Sequence, residues 1–333
     1  MGRLHLLATG AILTGCLTTL DPCGRASPGA SLECPVEGEF DRAFSLRVPA
    51  RWDGTAALPV IVAFHGGGGN RRSAESVTCP TGTPGEPGCL SAVALAAGYV
   101  VVFPDGTGLR PLRNVRSWNA GGGRDGWQCV SRGACQSGVD DVAFFDRLLA
   151  AVEKSVPVDR RRVFVTGLSN GGAVSHRLAC ERPGVVAAFA AVGGTNQFAV
   201  AGGRCDARVP VMQIHGVDDP CWGYETRTST CAFLEEGRKV GVDETLAGWR
   251  ARNGCGADAR DEALADAAAD GTRVTRRTWQ GCAAPVVHLR VEGGGHTWPG
   301  GHQYLDVDTV GRVSRDVNAS EEIVRFFDAN PRR

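Results

Sequence analysis

The most obvious scarcity in this chain of 333 residues is lysine. Only Lys154 and Lys239 are lysines, and arginine supplies the other basic residues, a compositional bias that indicates no particular function. An excess of charge of either sign is also missing, because 36 basic and 36 acidic residues give a formal net charge of zero. Bulk electrostatics therefore give no reason to expect a nucleic acid or an anionic membrane surface as a partner.

Two further absences narrow the class of protein. The 13 cysteines include no C-x-x-C pair, so the spacing typical of structural zinc sites is missing. No internal repeat or block of like charge divides the chain, and we see no second folded domain. What remains is a chain with 43% hydrophobic and 22% charged residues, a composition typical of a folded domain with a sizeable core.

The N-terminus predicts export. Arg3 precedes a mostly apolar run over residues 4–13, which is too short to span a bilayer but suits a signal peptide. The run ends in Leu13-Thr14-Gly15-Cys16, which resembles a bacterial lipobox and predicts lipidation of Cys16 and a membrane anchor. The alternative is a plain secretory signal cleaved nearby. We expect a signal peptide over residues 1–16, a Pro, Gly and Ser-rich tether over 17–33, and a catalytic domain over 34–333.

The remaining cysteines agree with export. Twelve cysteines follow Cys16, and an even set in an exported protein indicates disulfides. Sequence alone does not give their connectivity. We expect sequential pairing because three consecutive pairs bracket short loops, namely Cys79 with Cys89, Cys129 with Cys135, and Cys221 with Cys231.

Strand-like and helix-like segments alternate along most of the chain, which predicts one doubly wound, mostly parallel sheet. Near-continuous apolar runs at 58–64, 99–104, 185–192 and 209–215 are typical of strands buried on both faces. Residues 140–156 have apolar residues at helical spacing. Asp140 and Asp141 begin that helix, and capping is a better explanation for them than a catalytic pair.

The strongest motif of the chain lies within residues 161–179. A β-rich segment runs into Gly167-Leu168-Ser169-Asn170-Gly171, and a helical pattern follows. G-x-S-x-G between a strand and a helix is the context of a nucleophile elbow, in which a sharp turn exposes the serine hydroxyl. The pattern predicts Ser169 as a nucleophile, although an N-capping serine in a glycine-rich turn would give a similar sequence.

A second glycine-rich turn follows the apolar run at 58–64, with the sequence His65-Gly66-Gly67-Gly68-Gly69. Backbone N–H groups in such a turn are free to bind an oxyanion, and a flexible turn is the alternative. We expect the N–H of Gly67 and the N–H of Asn170 to form the oxyanion hole. His65 itself is expected to orient its loop.

An acid and a histidine follow later predicted strands. Asp218 and Asp219 come after the run at 209–215, and His296 lies on a glycine-rich loop after the run at 286–291. Nucleophile, acid and histidine then occur in the order of an α/β-hydrolase triad. Ser169, Asp219 and His296 are the expected catalytic residues, with Asp218 as the alternative acid and His302 as the alternative base.

Aromatic residues near these motifs are candidates for substrate binding. Trp118 lies in a long glycine-rich segment, and Trp298 follows His296 closely. Both indoles could stack on an aromatic acid or a sugar, as could Trp222 and Tyr224. The alternative is that these rings only cover the core.

Four motifs in order carry a family resemblance. They are His65-Gly66-Gly67-Gly68-Gly69, Gly167-Leu168-Ser169-Asn170-Gly171-Gly172, His215-Gly216-Val217-Asp218-Asp219-Pro220 and Gly294-Gly295-His296-Thr297-Trp298-Pro299-Gly300. They resemble the secreted polyhydroxybutyrate depolymerase and feruloyl esterase family, in particular its LpqC-like lipoprotein branch within carbohydrate esterase family 1. The resemblance spans roughly residues 40–330.

The resemblance implies an α/β-hydrolase fold, hydrolysis of an ester by a Ser-His-Asp triad, and no cofactor. It favours Asp219 over Asp218 as the acid. The expected substrate is a polyhydroxybutyrate-type polyester or a feruloyl or acetyl ester of plant polysaccharide. A serine peptidase on the same fold and a non-catalytic surface binding protein are the alternatives.

Overall fold

The computed structural model describes residues 23–108, 114–130, 133–228 and 237–332. The predicted signal peptide, Cys16 and residues 17–22 of the predicted tether lie outside the described residues. Among the helices of the described parts, none combines the length and the hydropathy needed to cross a bilayer.

The described residues form twelve strands. In chain order they are β1 (Ser31–Pro35), β2 (Ala43–Arg47), β3 (Leu58–Phe64), β4 (Val100–Pro104), β5 (Thr107–Gly108), β6 (Arg116–Ser117), β7 (Val158–Leu168), β8 (Ala188–Val192), β9 (Val211–Gly216), β10 (Ala259–Ala263), β11 (Arg273–Trp279) and β12 (Val286–Glu292). Strands β5 and β6 pair with each other, and the other ten form one sheet in the order β1-β2-β4-β3-β7-β8-β9-β12-β11-β10.

The centre of this sheet is parallel and its flanks are antiparallel. Strands β4, β3, β7, β8, β9 and β12 pair in parallel. The pairs β1–β2, β2–β4, β11–β12 and β10–β11 are antiparallel. The predicted mostly parallel sheet is confirmed. Because the central strands run in one direction, the loops that follow β3, β7, β8, β9 and β12 all meet at one edge of the sheet.

Nine helices lie in the described parts of the chain. They are α1 (Arg71–Val77), α2 (Leu90–Ala96), α3 (Gly133–Gln136), α4 (Asp141–Ser155), α5 (Asn170–Glu181), α6 (Gln197–Val200), α7 (Val242–Arg252), α8 (Val307–Val310) and α9 (Ala319–Asp328). Asp140 is the N-cap of α4 and accepts a hydrogen bond from Ala143 N–H, as the sequence predicts. Asp141 is instead buried and accepts a 2.6 Å hydrogen bond from Arg42.

Helices cover both faces of the sheet, which explains the apolar strand sequences. In β3, Val60 and Val62 pack into the cluster that contains α4, α5 and α7, whereas Ile61 and Ala63 pack into the cluster that contains α2 and α9. Successive side chains of a strand point to opposite faces, so a strand covered on both sides is apolar throughout.

The structure moves the boundary of the predicted tether. Residues 23–33 pack against the domain: Cys23 forms a disulfide with Cys34, and Ala26 is buried and donates its N–H to Ser155 O. Strand β1 begins at Ser31 and pairs with β2. A Pro, Gly and Ser-rich composition indicates a flexible tether only where no such contacts hold the segment.

The sequence also gave no sign of the edge strand β10. All five of its residues are exposed, so it lacks the apolar pattern from which a strand is recognised. It is held by charge pairing across the register, where Asp261 faces Arg277 and Glu262 faces Arg276. Charged residues are common on edge strands because they discourage pairing with another chain. Strand β11 therefore lies one strand in from this edge.

The predicted sequential disulfides are confirmed for the pairs that the described residues contain. These are Cys23–Cys34, Cys79–Cys89, Cys129–Cys135, Cys180–Cys205 and Cys255–Cys282. Cys221 is also disulfide-bonded, and Cys231, its predicted partner, lies outside the described residues.

Candidate active site

Ser169 lies in a strained turn between β7 and α5. Its backbone has φ 60° and ψ −122°, in the region that favours glycine. The flanking glycines allow this turn to form, because a Cβ on Gly167 or Gly171 would lie 2.5 or 2.2 Å from the carbonyl oxygen of Phe64. The turn leaves Ser169 partly exposed while both of its chain neighbours are buried. This is the geometry of a nucleophile elbow.

Asp219 and His296 are in direct contact. His296 Nδ1 lies 2.7 Å from Asp219 Oδ2, and both side chains are buried. The other carboxylate oxygen, Oδ1, accepts hydrogen bonds from the N–H groups of Cys221 at 2.8 Å and Trp222 at 2.7 Å. The neighbouring Asp218 is exposed. Of the two candidate acids, only Asp219 therefore contacts His296.

The environment of Asp219 keeps it ionised. Burial alone would raise the pKa of its carboxyl, but the charge and hydrogen bond of His296 and the hydrogen bond of His215 outweigh burial. The pKa of Asp219 is therefore held well below its ordinary value. An anion at this position favours the His296 tautomer that carries its proton on Nδ1, which leaves Nε2 with a free lone pair.

The turn that follows β8 separates His296 from the backbone of Ser169. A Cβ on Gly193 would lie 3.3 Å from His296 Nδ1, and a Cβ on Gly194 would lie 2.1 Å from Ser169 O. Ser169 N–H also donates to Val192 O at 2.8 Å. His296 and the backbone of Ser169 thus pack against the same two-glycine turn. His302, the alternative base, lies elsewhere, against Gly82.

The loop that carries Gly67 lies against the elbow, in which Asn170 directly follows Ser169. A Cβ on Gly66 would lie 3.4 Å from the Cβ of Ser169, so the loop after β3 touches the serine. In this loop the N–H of Gly68 donates to Arg116 O and that of Gly69 to Gly66 O. Within the described residues, the N–H groups of Gly67 and Asn170 make no hydrogen bond. They are available to a ligand oxygen.

His65 orients this loop, as expected from its position. Burial lowers the pKa of His65 to about 4, so the ring is neutral at ordinary pH. Its Nε2 accepts a hydrogen bond from Gly106 N–H at 2.9 Å, and Nδ1–H donates to Gly66 O at 2.7 Å. Both ring nitrogens are used, which leaves His65 no proton-transfer role.

The structure contradicts the predicted substrate contact of Trp118. The side chain is fully buried, and Trp118 connects the two segments that carry the predicted oxyanion donors instead. Its indole N–H donates to His65 O at 3.0 Å. Its backbone N–H donates to Asn170 Oδ1 at 2.7 Å, and its carbonyl accepts from Asn170 Nδ2 at 3.0 Å. Sequence reasoning assigned a role to the backbone of Asn170 but missed this use of its side chain.

Trp298 is likewise not at the surface. Its ring is 1% exposed and its indole N–H donates to Ser320 Oγ at 3.1 Å. Trp222 is fully buried, with its indole N–H on Val240 O. Tyr224 is half-buried and its hydroxyl meets His288 Nε2. Three of these four aromatic side chains therefore pack in the interior, and the rings named from sequence form no stacking surface.

Two groups of side chains bring potential metal-ligand atoms together in the described residues. One is Cys79, Glu86 and Cys89, and the other is Asp219, Cys221 and His296. Their cysteines are all disulfide-bonded, and a disulfide sulfur is not the thiolate that a metal requires. Neither group has the donor set of a metal site.

A cavity of about 500 Å³ lies at the opposite edge of the sheet. It is lined by residues that precede β8, β9 and β12 and by the chain after α9, including Pro210, Pro285 and Pro331. In parallel α/β sheets ligands bind outside the carboxyl ends of the strands. This cavity is therefore separate from the candidate active site.

Comparison with known proteins gives relatives that span most of the chain, although no family model matches it. NocK of Nocardia uniformis subsp. tsuyamanensis, a protein provisionally named an esterase, is 30% identical over 283 residues, covering 81% of this chain and 74% of NocK. A protein of Aspergillus clavatus provisionally named feruloyl esterase C is 25% identical over 297 residues, covering 88% of this chain and 90% of that protein.

A solved structure has the same fold. The acetyl xylan esterase from Aspergillus awamori superposes with a TM-score of 0.55 at 14% identity, over 90% of this chain and 99% of that one. At this identity the similarity shows the fold alone, and the expected α/β-hydrolase fold is confirmed. With the sequence relatives, it follows that this chain is a carboxylic-ester hydrolase and belongs to the same family of esterases as NocK and the feruloyl esterase C relatives.

Proposed function

We propose that the chain hydrolyses its ester through Ser169, with His296 as general base and Asp219 as the acid that holds His296. The observation that carries this proposal is the 2.7 Å contact between His296 Nδ1 and the buried Asp219, at the sheet edge where Ser169 occupies its strained turn. A serine hydroxyl is a poor nucleophile unless a base takes its proton. His296 Nε2 supplies that base.

The reaction has two steps. His296 takes the hydroxyl proton as Ser169 Oγ attacks the ester carbonyl, and the N–H groups of Gly67 and Asn170 bind the oxyanion. His296 then gives the proton to the leaving alcohol, and an acyl-enzyme remains. Water repeats the sequence, releasing the acid and restoring Ser169. Each oxyanion donor contributes about 3 to 4 kcal/mol to transition-state stabilisation, and Trp118 holds both donor loops.

The proposed substrate is a feruloyl or acetyl ester on plant polysaccharide. The names of the relatives support this choice, since they include feruloyl esterase and acetyl xylan esterase. A hydroxyalkanoate polyester is the second candidate, favoured by the family resemblance of the four motifs. No cofactor takes part in the proposed reaction, because serine, imidazole and carboxylate supply every proton and electron pair that it needs.

Product release from three esters tests the substrate class. Purified protein should release ferulate from methyl ferulate or acetate from acetylated xylan faster than 3-hydroxybutyrate from amorphous polyhydroxybutyrate. Liquid chromatography of the released acids measures this directly. Faster release of 3-hydroxybutyrate would instead select the polyester. If neither these three esters nor a generic p-nitrophenyl ester is hydrolysed, the result would favour a non-catalytic binding protein. Activity on a peptide would favour the peptidase.

We also propose export on a lipid anchor at Cys16. The lipobox-like Leu13-Thr14-Gly15-Cys16 and the disulfides of the domain support it, because disulfides persist in oxidising compartments. Expression in a bacterial host with an alkyne-tagged fatty acid should label the wild type and not Cys16→Ser. Equal labelling of both would contradict lipidation at Cys16. An unlabelled wild type found free outside the cells would indicate a plain secretory signal.

A further inference from the structure

A row of buried polar side chains runs inward from the candidate acid. It consists of His215 and Gln213 on β9, His176 on α5 and Trp249 on α7. All four are at most 1% exposed. His215 and Gln213 are two residues apart on a strand, so they lie on the same face of the sheet. Uncharged polar groups this deep persist where each has a hydrogen-bond partner.

The direction of every hydrogen bond in this row follows from its inner end. The indole N–H of Trp249 can only donate, so His176 Nδ1, 2.9 Å away, must accept. Burial lowers the pKa of His176 to about 3, so the ring is neutral and its single proton lies on Nε2. This Nε2–H donates to Gln213 Oε1 at 3.1 Å.

The amide nitrogen of Gln213 consequently points the other way. It donates to Gly194 O at 3.0 Å and to His215 Nδ1 at 3.2 Å. His215 must then carry its proton on Nε2, which donates to Trp222 O at 2.8 Å. A carbonyl oxygen can only accept, so the outer end of the row requires the same tautomer as the inner end.

The proton on His215 faces the candidate acid. His215 Nε2 lies 3.4 Å from Asp219 Oδ2, the oxygen that also accepts from His296 Nδ1. In the other tautomer a lone pair on Nε2 would face both this carboxylate oxygen and Trp222 O, and both contacts would become repulsive. The row fixes the tautomer of His215. That tautomer determines whether Nε2 of His215 attracts or repels the Asp219 carboxylate.

We infer that His215 is a positioning residue for Asp219, and that Trp249, His176 and Gln213 act by holding His215 in the tautomer with its proton on Nε2. The inference rests on the proposed role of Asp219. Gln213 adds a second connection, since its bond to Gly194 O holds the turn that lies against Ser169 O. The side-chain amide of Gln213 thus connects His215, which lies beside Asp219, with the turn that packs against Ser169.

His288 offers a matched control. It is also buried, lies on the neighbouring β12, and bonds through Nδ1 to Gln213 O and through Nε2 to the Tyr224 hydroxyl. Burial lowers the pKa of His288 to about 3, so this ring is also neutral. Among the described residues, no hydrogen bond or ion pair joins its side chain to Asp219. Loss of His288 removes a buried histidine without removing a donor from the acid.

The test compares kcat and KM of His215→Leu, His215→Gln and His288→Leu on p-nitrophenyl acetate. We expect His215→Leu to lower kcat by about 10- to 100-fold with KM little changed, as for a catalytic group displaced by about 1 Å. His215→Gln can place its amide N–H near the lost Nε2–H and should recover most of kcat. His288→Leu should lower the Tm but not kcat.

A proton spectrum gives an independent readout. The proton shared by His296 Nδ1 and Asp219 should resonate far downfield in the wild type and in His288→Leu, and shift or disappear in His215→Leu. Wild-type kcat in His215→Leu, or an equal loss in His288→Leu, would overturn the inference. If His215→Leu does not fold, Gln213→Met, which removes the donor to His215 at similar volume, decides by the same criteria. Full activity of Ser169→Ala would refute the proposed function instead.

Discussion

Ser169→Ala should lower kcat for ester hydrolysis by about a million-fold, since removal of a catalytic serine abolishes the acyl-enzyme route altogether. The residual rate would come from binding and from the N–H groups of Gly67 and Asn170, which the substitution leaves in place. Initial rates on p-nitrophenyl acetate measure the loss. A phosphonate ester should react with Ser169. Mass spectrometry should then detect the adduct on the peptide that contains residue 169 in the wild type alone.

Ser175→Ala is the matched control for this experiment. Ser175 lies within α5, the helix that follows Ser169. Its hydroxyl donates to Gly171 O. Its loss should leave kcat close to the wild-type value, because this hydroxyl takes no part in the proposed reaction. Wild-type turnover by Ser169→Ala would refute the serine mechanism.

Ser169→Gly distinguishes the effect of backbone strain at this position from the effect of losing the hydroxyl. Glycine adopts a positive φ without steric cost, whereas alanine keeps the strain that the turn imposes on serine. The glycine variant should be as inactive as the alanine variant yet more stable than it by about 1 kcal/mol, after its larger entropy cost on folding. Thermal unfolding of the two variants measures the difference.

Asp219→Asn should lower kcat by about ten-thousand-fold through the tautomer of His296. Asp219 Oδ1 accepts two backbone N–H groups, from Cys221 and Trp222, so the amide oxygen of asparagine must occupy that position. The amide NH2 then faces His296 Nδ1 and His215 Nε2. His296 can accept from it only with its proton moved to Nε2, where it no longer accepts the serine proton. Steady-state kinetics at neutral pH measures this loss.

Asp218→Asn is the corresponding control. Asp218 is adjacent in sequence and exposed, and its backbone N–H donates to Gly294 O. This variant should retain wild-type kcat. A large loss in Asp218→Asn together with a small one in Asp219→Asn would reverse the assignment of the acid.

The pH dependence of stability should also differ between wild type and Asp219→Asn. The folded-state pKa of Asp219 is lowered by the charge and hydrogen bonds of His296 and His215, although burial opposes this. Such a group stabilises the folded state above its unfolded pKa, about 3.9, and the contribution is lost as the pH falls towards the folded value. The Tm difference between the two proteins should therefore be largest near neutral pH and shrink in acid.

Much of the fold could be predicted from local sequence. Strand β3 has the predicted bounds, and β4, β8, β9 and β12 fall within or next to the predicted runs. These strands are buried on both faces, which leaves a continuous apolar signal. Strands β1 and β10 have no such signal. Antiparallel pairing holds both in place, and charge contacts add to it in β10, so neither needs a continuous apolar run.

The candidate acid could likewise be predicted only in part from the sequence. The sequence offered Asp218 and Asp219, and family resemblance alone separated them. In the structure, Asp219 is buried against His296 while Asp218 faces solvent. One residue of difference after β9 turns a side chain from the interior to the surface, and no local pattern encodes that choice.

By itself, the sequence determined the elements that depend on short-range constraints. Gly167-Leu168-Ser169-Asn170-Gly171 between a strand and a helix predicts an elbow because the steric limits of a sharp turn act within a few residues. Only the tertiary structure decided what the interior side chains do. It buried Trp118 and Trp298, paired Arg42 with Asp141, and aligned Trp249, His176, Gln213 and His215 behind Asp219. These contacts join residues far apart in the chain, and their partners are set by how helices pack on the sheet.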